Sequence, residues 1–187
     1  MRFPVFVALV VSVGACASPK APIEPSPAKV AAEQVTTGFR TAVVDVCLAA
    51  AMAGTPVGNF ATETGPIEVE TNATLVKLAK PQKGDEVWSS RAAKGTVVIR
   101  SNGRECQVSA MGPPVKATLD AVKQALNDPH GFVPDNSAEP KAANNYQRFS
   151  KKVGARTFYV TLSGTEAGAK EHYSMLTATV TASPAAA

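Results

Sequence analysis

The chain reads as an α+β protein: an antiparallel sheet of two three-stranded meanders packed against two helices. Three observations predict it. Two stretches, 28–53 and 115–126, carry apolar residues at helical spacing. Each is followed by segments in which polar and apolar residues alternate, bounded by Gly, Asn and Pro. Asn102-Gly103 stands between two of those segments, and both residue types tolerate the positive φ of a tight hairpin turn. The order helix, three strands, helix, three strands suggests two αβββ halves sharing one sheet, with the helices on one face.

The first helix is signalled by Ser26-Pro27, a capping residue followed by a first-turn proline. Val35, Phe39, Val43, Val46, Cys47, Ala50 and Ala51 then fall on one helical face. Gly54-Thr55-Pro56 ends it. Asp45 belongs at the edge of that stripe or in solvent. Residues 59–72 read as a loop with a short alternating segment at Ile67–Glu70, and Ala73–Lys80 as two helical turns. Glu86–Ser90 reads as the strand before the hairpin, with Trp88, the one tryptophan, at the core edge. In the hairpin, a two-residue Asn102-Gly103 turn would set Ile99 opposite Cys106 and Val97 opposite Val108 on a dry face. Arg100 and Glu105 would then meet on the wet one.

The second helix opens at Pro113-Pro114 and carries Val115, Leu119, Val122 and Leu126 as its stripe; Asn127-Asp128-Pro129 stops it. Residues 130–144 read as a polar surface loop. Tyr146–Lys152, Arg156–Ser163 and Tyr173–Thr181 read as strands, with Phe158, Val160, Leu162, Leu176, Ala178 and Val180 inward.

Composition narrows the functional classes. With 187 residues, 45% hydrophobic and 18% charged, the chain has material for one ordinary domain. Its net charge of +4 is scattered, the densest run being Lys151-Lys152, which is not the clustered basic face of a nucleic-acid binder. No Gly-rich phosphate loop, Gly-x-Ser-x-Gly motif or paired metal-binding carboxylates appear. His130 and His172 have no short ligand spacing to Cys47 or Cys106, so a Cys₂His₂ metal site is not supported, nor is a Cys/His nucleophile pair. No cofactor is expected, and the reading is non-catalytic.

The N-terminus is more specific. Arg2 precedes an apolar run, Phe3–Val13, too short to span a bilayer and suited to the h-region of a secretory signal. Val13-Gly14-Ala15-Cys16 follows: an aliphatic residue, two small residues and a cysteine. It resembles the lipobox of bacterial lipoproteins. That resemblance implies cleavage before Cys16, acylation of its thiol (palmitate), and a membrane anchor, with Ala17 favouring the outer membrane. Ala15-Cys16-Ala17 also fits the cleavage pattern of an ordinary secretory signal, which leaves soluble export as the alternative. Ala17–Pro27 carries Pro19, Pro22, Pro25 and Pro27 and reads as a semi-extended tether.

The chain has three cysteines. With Cys16 assigned to lipid, two remain, both on apolar faces, in a protein bound for an oxidising compartment; a Cys47–Cys106 disulfide is expected. The organisation is then a signal peptide at 1–15, a lipidated cysteine and linker at 16–27, a single α+β domain at 28–182 and a disordered tail at 183–187. The function expected is that of a lipid-anchored envelope protein, facing the periplasm, acting as a non-catalytic interaction or structural module. Its candidate interaction face is the side of the sheet left bare by the helices, marked by Tyr159, Thr161, Tyr173 and Met175, for an envelope protein partner. The competing reading is a soluble periplasmic or secreted small-ligand-binding protein, or an enzyme with an unrecognised cleft. Neither reading involves nucleic acid or metal.

Overall fold

The computed structural model describes residues 27–137, 145–168 and 173–183. Cys16, His172 and the tail beyond Ser183 lie outside them. The helical start is continuous: α1 (Pro27–Thr41), a π-helical stretch (Ala42–Leu48) and α2 (Ala49–Ala53). The π stretch explains why more of this helix is inside than a 3.6-residue period predicts. Its wider turn, with i→i+5 bonding, rotates extra positions inward. Six of its seven residues are buried; Asp45 alone points out, toward Arg40 five residues earlier at 3.9 Å. The run Ala31–Ala53 lies near the N-terminus and is apolar and long enough to cross a membrane, so it is compatible with an export signal. In this fold more than half of its most apolar 18-residue window is buried and it serves as the core helix.

The strands are β1 (Ile67–Val69), β2 (Glu86–Ser90), β3 (Val97–Ser101), β4 (Glu105–Met111), β5 (Val133–Pro134), β6 (Gln147–Val153), β7 (Arg156–Thr165) and β8 (Met175–Ala182). A short α3 (Ala73–Leu78) joins β1 to β2, and α4 (Val115–Asn127) joins β4 to β5. They form one antiparallel sheet in the order β1-β2-β3-β4-β8-β7-β6-β5. The class is α+β, with eight strands where two three-stranded meanders were expected. The additions sit at the two edges. β5 falls in the stretch expected to be loop: it is two residues long and one of them is proline, so no alternation announces it. Short edge strands offer little to an intruding chain.

The sheet is symmetric in order about the β4–β8 seam. Each half is a helix followed by four antiparallel strands, and the last strands of the halves pair antiparallel, Val108 opposite Ala178.

The hairpin register differs from the expected one by two residues. Ser101 stands opposite Cys106 where the tight turn would have put it opposite Arg104; Ile99 faces Val108 and Val97 faces Ala110. Asn102 is the reason. Its Oδ1 accepts from the N–H groups of Arg104 and Glu105, both at 3.0 Å, which places Asn102 before the turn rather than within it. Gly103, at φ +79°, and Arg104 become the central pair. A shift of two preserves the faces, so Cys106, Val97, Ile99 and Val108 still point inward. Arg100 and Glu105 meet on the other face at 3.2 Å.

The core lies between the helices and one sheet face. It gathers Phe39, Val43, Val46 and Cys47, the stripe of α4, and Ile99, Val108, Phe149, Val160, Leu162, Leu176 and Val180 of the sheet into one cluster. Trp88 is buried, deeper than an edge position. Two glycines mark where layers come closest. A methyl group on Gly38 of α1 would sit 2.6 Å from Ala93 Cβ, and one on Gly164 of β7 would sit 2.6 Å from Val115 Cγ1 of α4.

Candidate functional site

Cys47 and Cys106 are bonded, with Cα atoms 5.6 Å apart across a separation of 59 residues. That spacing suits a disulfide. Cys47 arrives from the π stretch and Cys106 from the inward row of β4, so the bond ties the N-terminal helix to the sheet beside the seam. Both sulfurs are consumed: neither is a nucleophile or a ligand. Among the described residues no group of three or more His, Cys, Asp or Glu side chains is placed to hold a metal ion. His130 follows α4, and its carbonyl oxygen accepts from Lys151 Nζ, a loop-anchoring role. Asn72, first residue of Asn72-Ala73-Thr74, caps α3 by accepting from Thr74 N at 2.9 Å and Leu75 N at 3.3 Å.

The face of the sheet opposite the helices carries the outward rows of the strands. Thr161 stands opposite Thr179, Ser163 opposite Thr177, and Tyr159 opposite Thr181. Gln107 and Ser109 of β4 continue the same rows. Tyr159, Thr161 and Met175 therefore share this face, because side chains of alternate residues share a side. Met175 is 43% exposed, and Tyr173, just before β8, is 67% exposed. Arg148 of β6 lies over the Tyr159 ring at 4.2 Å and pairs with Asp135 at 3.2 Å. The sequence reading missed Arg148, although its position opposite Thr161 follows from the β6–β7 register once the turn at Gly154 is recognised. At the other end of the face, Arg100 is held by Asp85 at 3.5 Å, by Glu105 and by Gln107 Oε1.

On the helix side a cavity of about 540 Å³ opens beside the disulfide, between the end of α2, the 102–105 turn and the start of β7. Nothing in the linear pattern announces it: its lining comes from five separated segments. No family model, curated protein or solved structure matches the chain.

Proposed function

We propose that the chain is an exported lipoprotein, anchored through Cys16 to the outer membrane, whose α+β domain is a non-catalytic module that presents its bare sheet face to an envelope protein partner. The observation that carries the reading is the Cys47–Cys106 bond. Structural disulfides form and persist in oxidising compartments, and the chain begins with an apolar run ending in a lipobox-like cysteine. Two acyl chains on that cysteine would anchor stably, and the proline-rich tether would hold the domain off the bilayer. The bare face supplies Tyr159, the exposed Met175 and rows of hydroxyls, with the exposed Tyr173 just before β8, a mixture that suits a polar protein contact.

Two measurements test it. Metabolic labelling with radioactive palmitate should mark the wild type and not Cys16→Ser; an unlabelled wild type, or equal label on both, rejects the anchor. In-cell crosslinking through the envelope should capture a specific protein whose yield falls on Tyr159→Ala and on Met175→Ala. An unchanged yield in both variants moves the contact off this face.

A further inference from the structure

Six arginines lie among the described residues. Four of them face a carboxylate: Arg40 with Asp45, Arg91 with Glu68, Arg100 with Asp85 and Glu105, and Arg148 with Asp135. Arg104 and Arg156 have no such partner among the described residues. These two come from segments 52 residues apart in sequence (156 less 104), and both border the same cavity, the one beside the disulfide. Arg104 is exposed in the hairpin turn. Arg156 opens β7 and is oriented by Phe158, its guanidinium 5.0 Å from the centre of that ring.

Behind the two cations the wall is mixed: Ala51, Pro56, Val57, Trp88, Ala182 and the disulfide supply its apolar part, and Thr55, Ser101 and Asn102 its polar part. The volume, about 540 Å³, falls within the range of small-molecule sites. Of the two carboxylates that border it, Glu105 is engaged by Arg100 on the opposite face of the sheet. Glu86 remains, beside Gly58. The opening thus carries two cations against one uncommitted carboxylate, over an interior that is apolar only in part.

We propose that this cavity binds a single-chain anionic amphiphile, its oxyanion head between Arg104 and Arg156 and its chain against Trp88 and Val57. Guanidinium groups recognise carboxylate and phosphate oxygens through charge-assisted hydrogen bonds, and the apolar part of the wall gains by covering a hydrocarbon chain. The head is a fatty-acid carboxylate or a phosphate monoester; the recognition chemistry is shared. The site does not depend on the lipid anchor or on the bare sheet face.

Trp88 is the one tryptophan of the chain and stands in the cavity wall, so its fluorescence reads occupancy directly. The full chain carrying Cys16→Ser, which removes any covalent acyl chain, is titrated with dodecanoate, dodecyl phosphate and neutral dodecanol, each below its aggregation limit. A saturable change in Trp88 emission is expected with at least one of the two anions, and the anion that binds more tightly identifies the head. Dodecanol should bind at least tenfold more weakly. Arg104→Ala combined with Arg156→Ala should weaken the anion tenfold or more. Glu86→Gln should tighten it several-fold, a change of sign that misfolding does not imitate. The proposal is overturned by any of three results: no saturable change with either anion, dodecanol binding as tightly as the anions, or arginine variants and Glu86→Gln that leave the affinity unchanged.

Discussion

Each half of the sheet is four strands behind one helix, yet the two helices are seated differently. The N-terminal helix is bonded to the sheet through Cys47–Cys106. α4 carries no sulfur and is seated by Val115, Leu119, Val122 and Leu126, with its entry fixed by Ser174 Oγ donating to the Pro113 carbonyl at 2.6 Å. The difference follows what lies beneath each helix. The stripe of α4 belongs to the shared core and lies over β7, where Val115 stands against Gly164. Under the end of α2 the cavity opens, so part of that end rests on solvent and not on the sheet. The disulfide stands at the wall of that cavity and supplies by covalent constraint what contact does not.

The largest expected effect breaks this comparison. Cys47→Ala with Cys106→Ala removes the cross-link from a loop of 59 residues, for which the chain-entropy account gives about 4 kcal/mol. Denaturant unfolding of the double variant measures it. In the second half, Leu126→Ala, at a fully buried position, should cost about 3 kcal/mol through lost transfer energy and the hole left behind. If the cysteine variant loses less than 1 kcal/mol, the cavity end of the helix is held by packing after all and the contrast fails.

Next come the close approaches, one in each half. Gly38→Ala would drive a methyl group to within 2.6 Å of Ala93 Cβ and 2.9 Å of Ser90 Oγ. Ala93 has no side-chain torsion with which to yield, so the layers must part, at about 2–3 kcal/mol. Gly164→Ala meets Val115 Cγ1 at 2.6 Å and Leu176 Cδ2 at 2.7 Å, the outer atoms of side chains that can turn. It should cost about 1 kcal/mol. The order of the two, read from melting midpoints, is the sharper test; a reversed order places the rigid contact in the second half.

These costs show what the linear sequence carried and what it did not. The stripes of both helices, the alternation in β6, β7 and β8, and the pair of cysteines were legible because each depends on a local period or a count. The π stretch was not: a 3.6-residue period is assumed in reading a helix, and Ala42, Val44 and Leu48 become core only when the turn widens. The register of the hairpin was missed because Asn102 can stand within a tight turn or just before it, and its side-chain bonds decide. The cavity and its two arginines were illegible for a different reason. They depend on which turn ends beside which strand, and that follows from the β4–β8 seam between the last strands of the two halves. Of the candidate face, Tyr159 and Thr161 were legible by alternation, while Arg148 over the ring was not.

A smaller effect tests the link between the helices. Thr36 Oγ1 and Thr118 Oγ1 are 2.8 Å apart, joining α1 to α4, and Thr118 is fully buried. Thr118→Val keeps the shape and leaves Thr36 Oγ1 without its partner, at about 1 kcal/mol. Thr36→Val with Thr118→Val removes both hydroxyls and should recover most of that loss in the same unfolding experiment.

The smallest effect lies at the two edges, where each half holds one carboxylate below its ordinary range. Glu68 of β1 is lowered first by its hydrogen bond from Lys94, at 2.9 Å, and further by the charges of Lys94 and Arg91. Asp135, after β5, is lowered first by the side-chain and backbone hydrogen bonds from Ser137, at 2.6 and 3.0 Å, with Arg148 a lesser cause. Because the folded state favours the ionised form at both sites, each contributes stability that is present above the unfolded pKa and lost as pH falls through the lower folded value. Both carboxylates are partly covered but lie at the sheet edges beside solvent, which screens them, so the contribution is small. The causes separate under salt. At Glu68 every lowering partner is a cation, and salt screens exposed charge pairs; at Asp135 the leading donor is a neutral hydroxyl. Carboxyl titrations followed by NMR at low and at about 1 M sodium chloride should show Glu68 rising toward the ordinary range while Asp135 holds its depressed value. Equal movement of the two would mean that one kind of partner governs both edges.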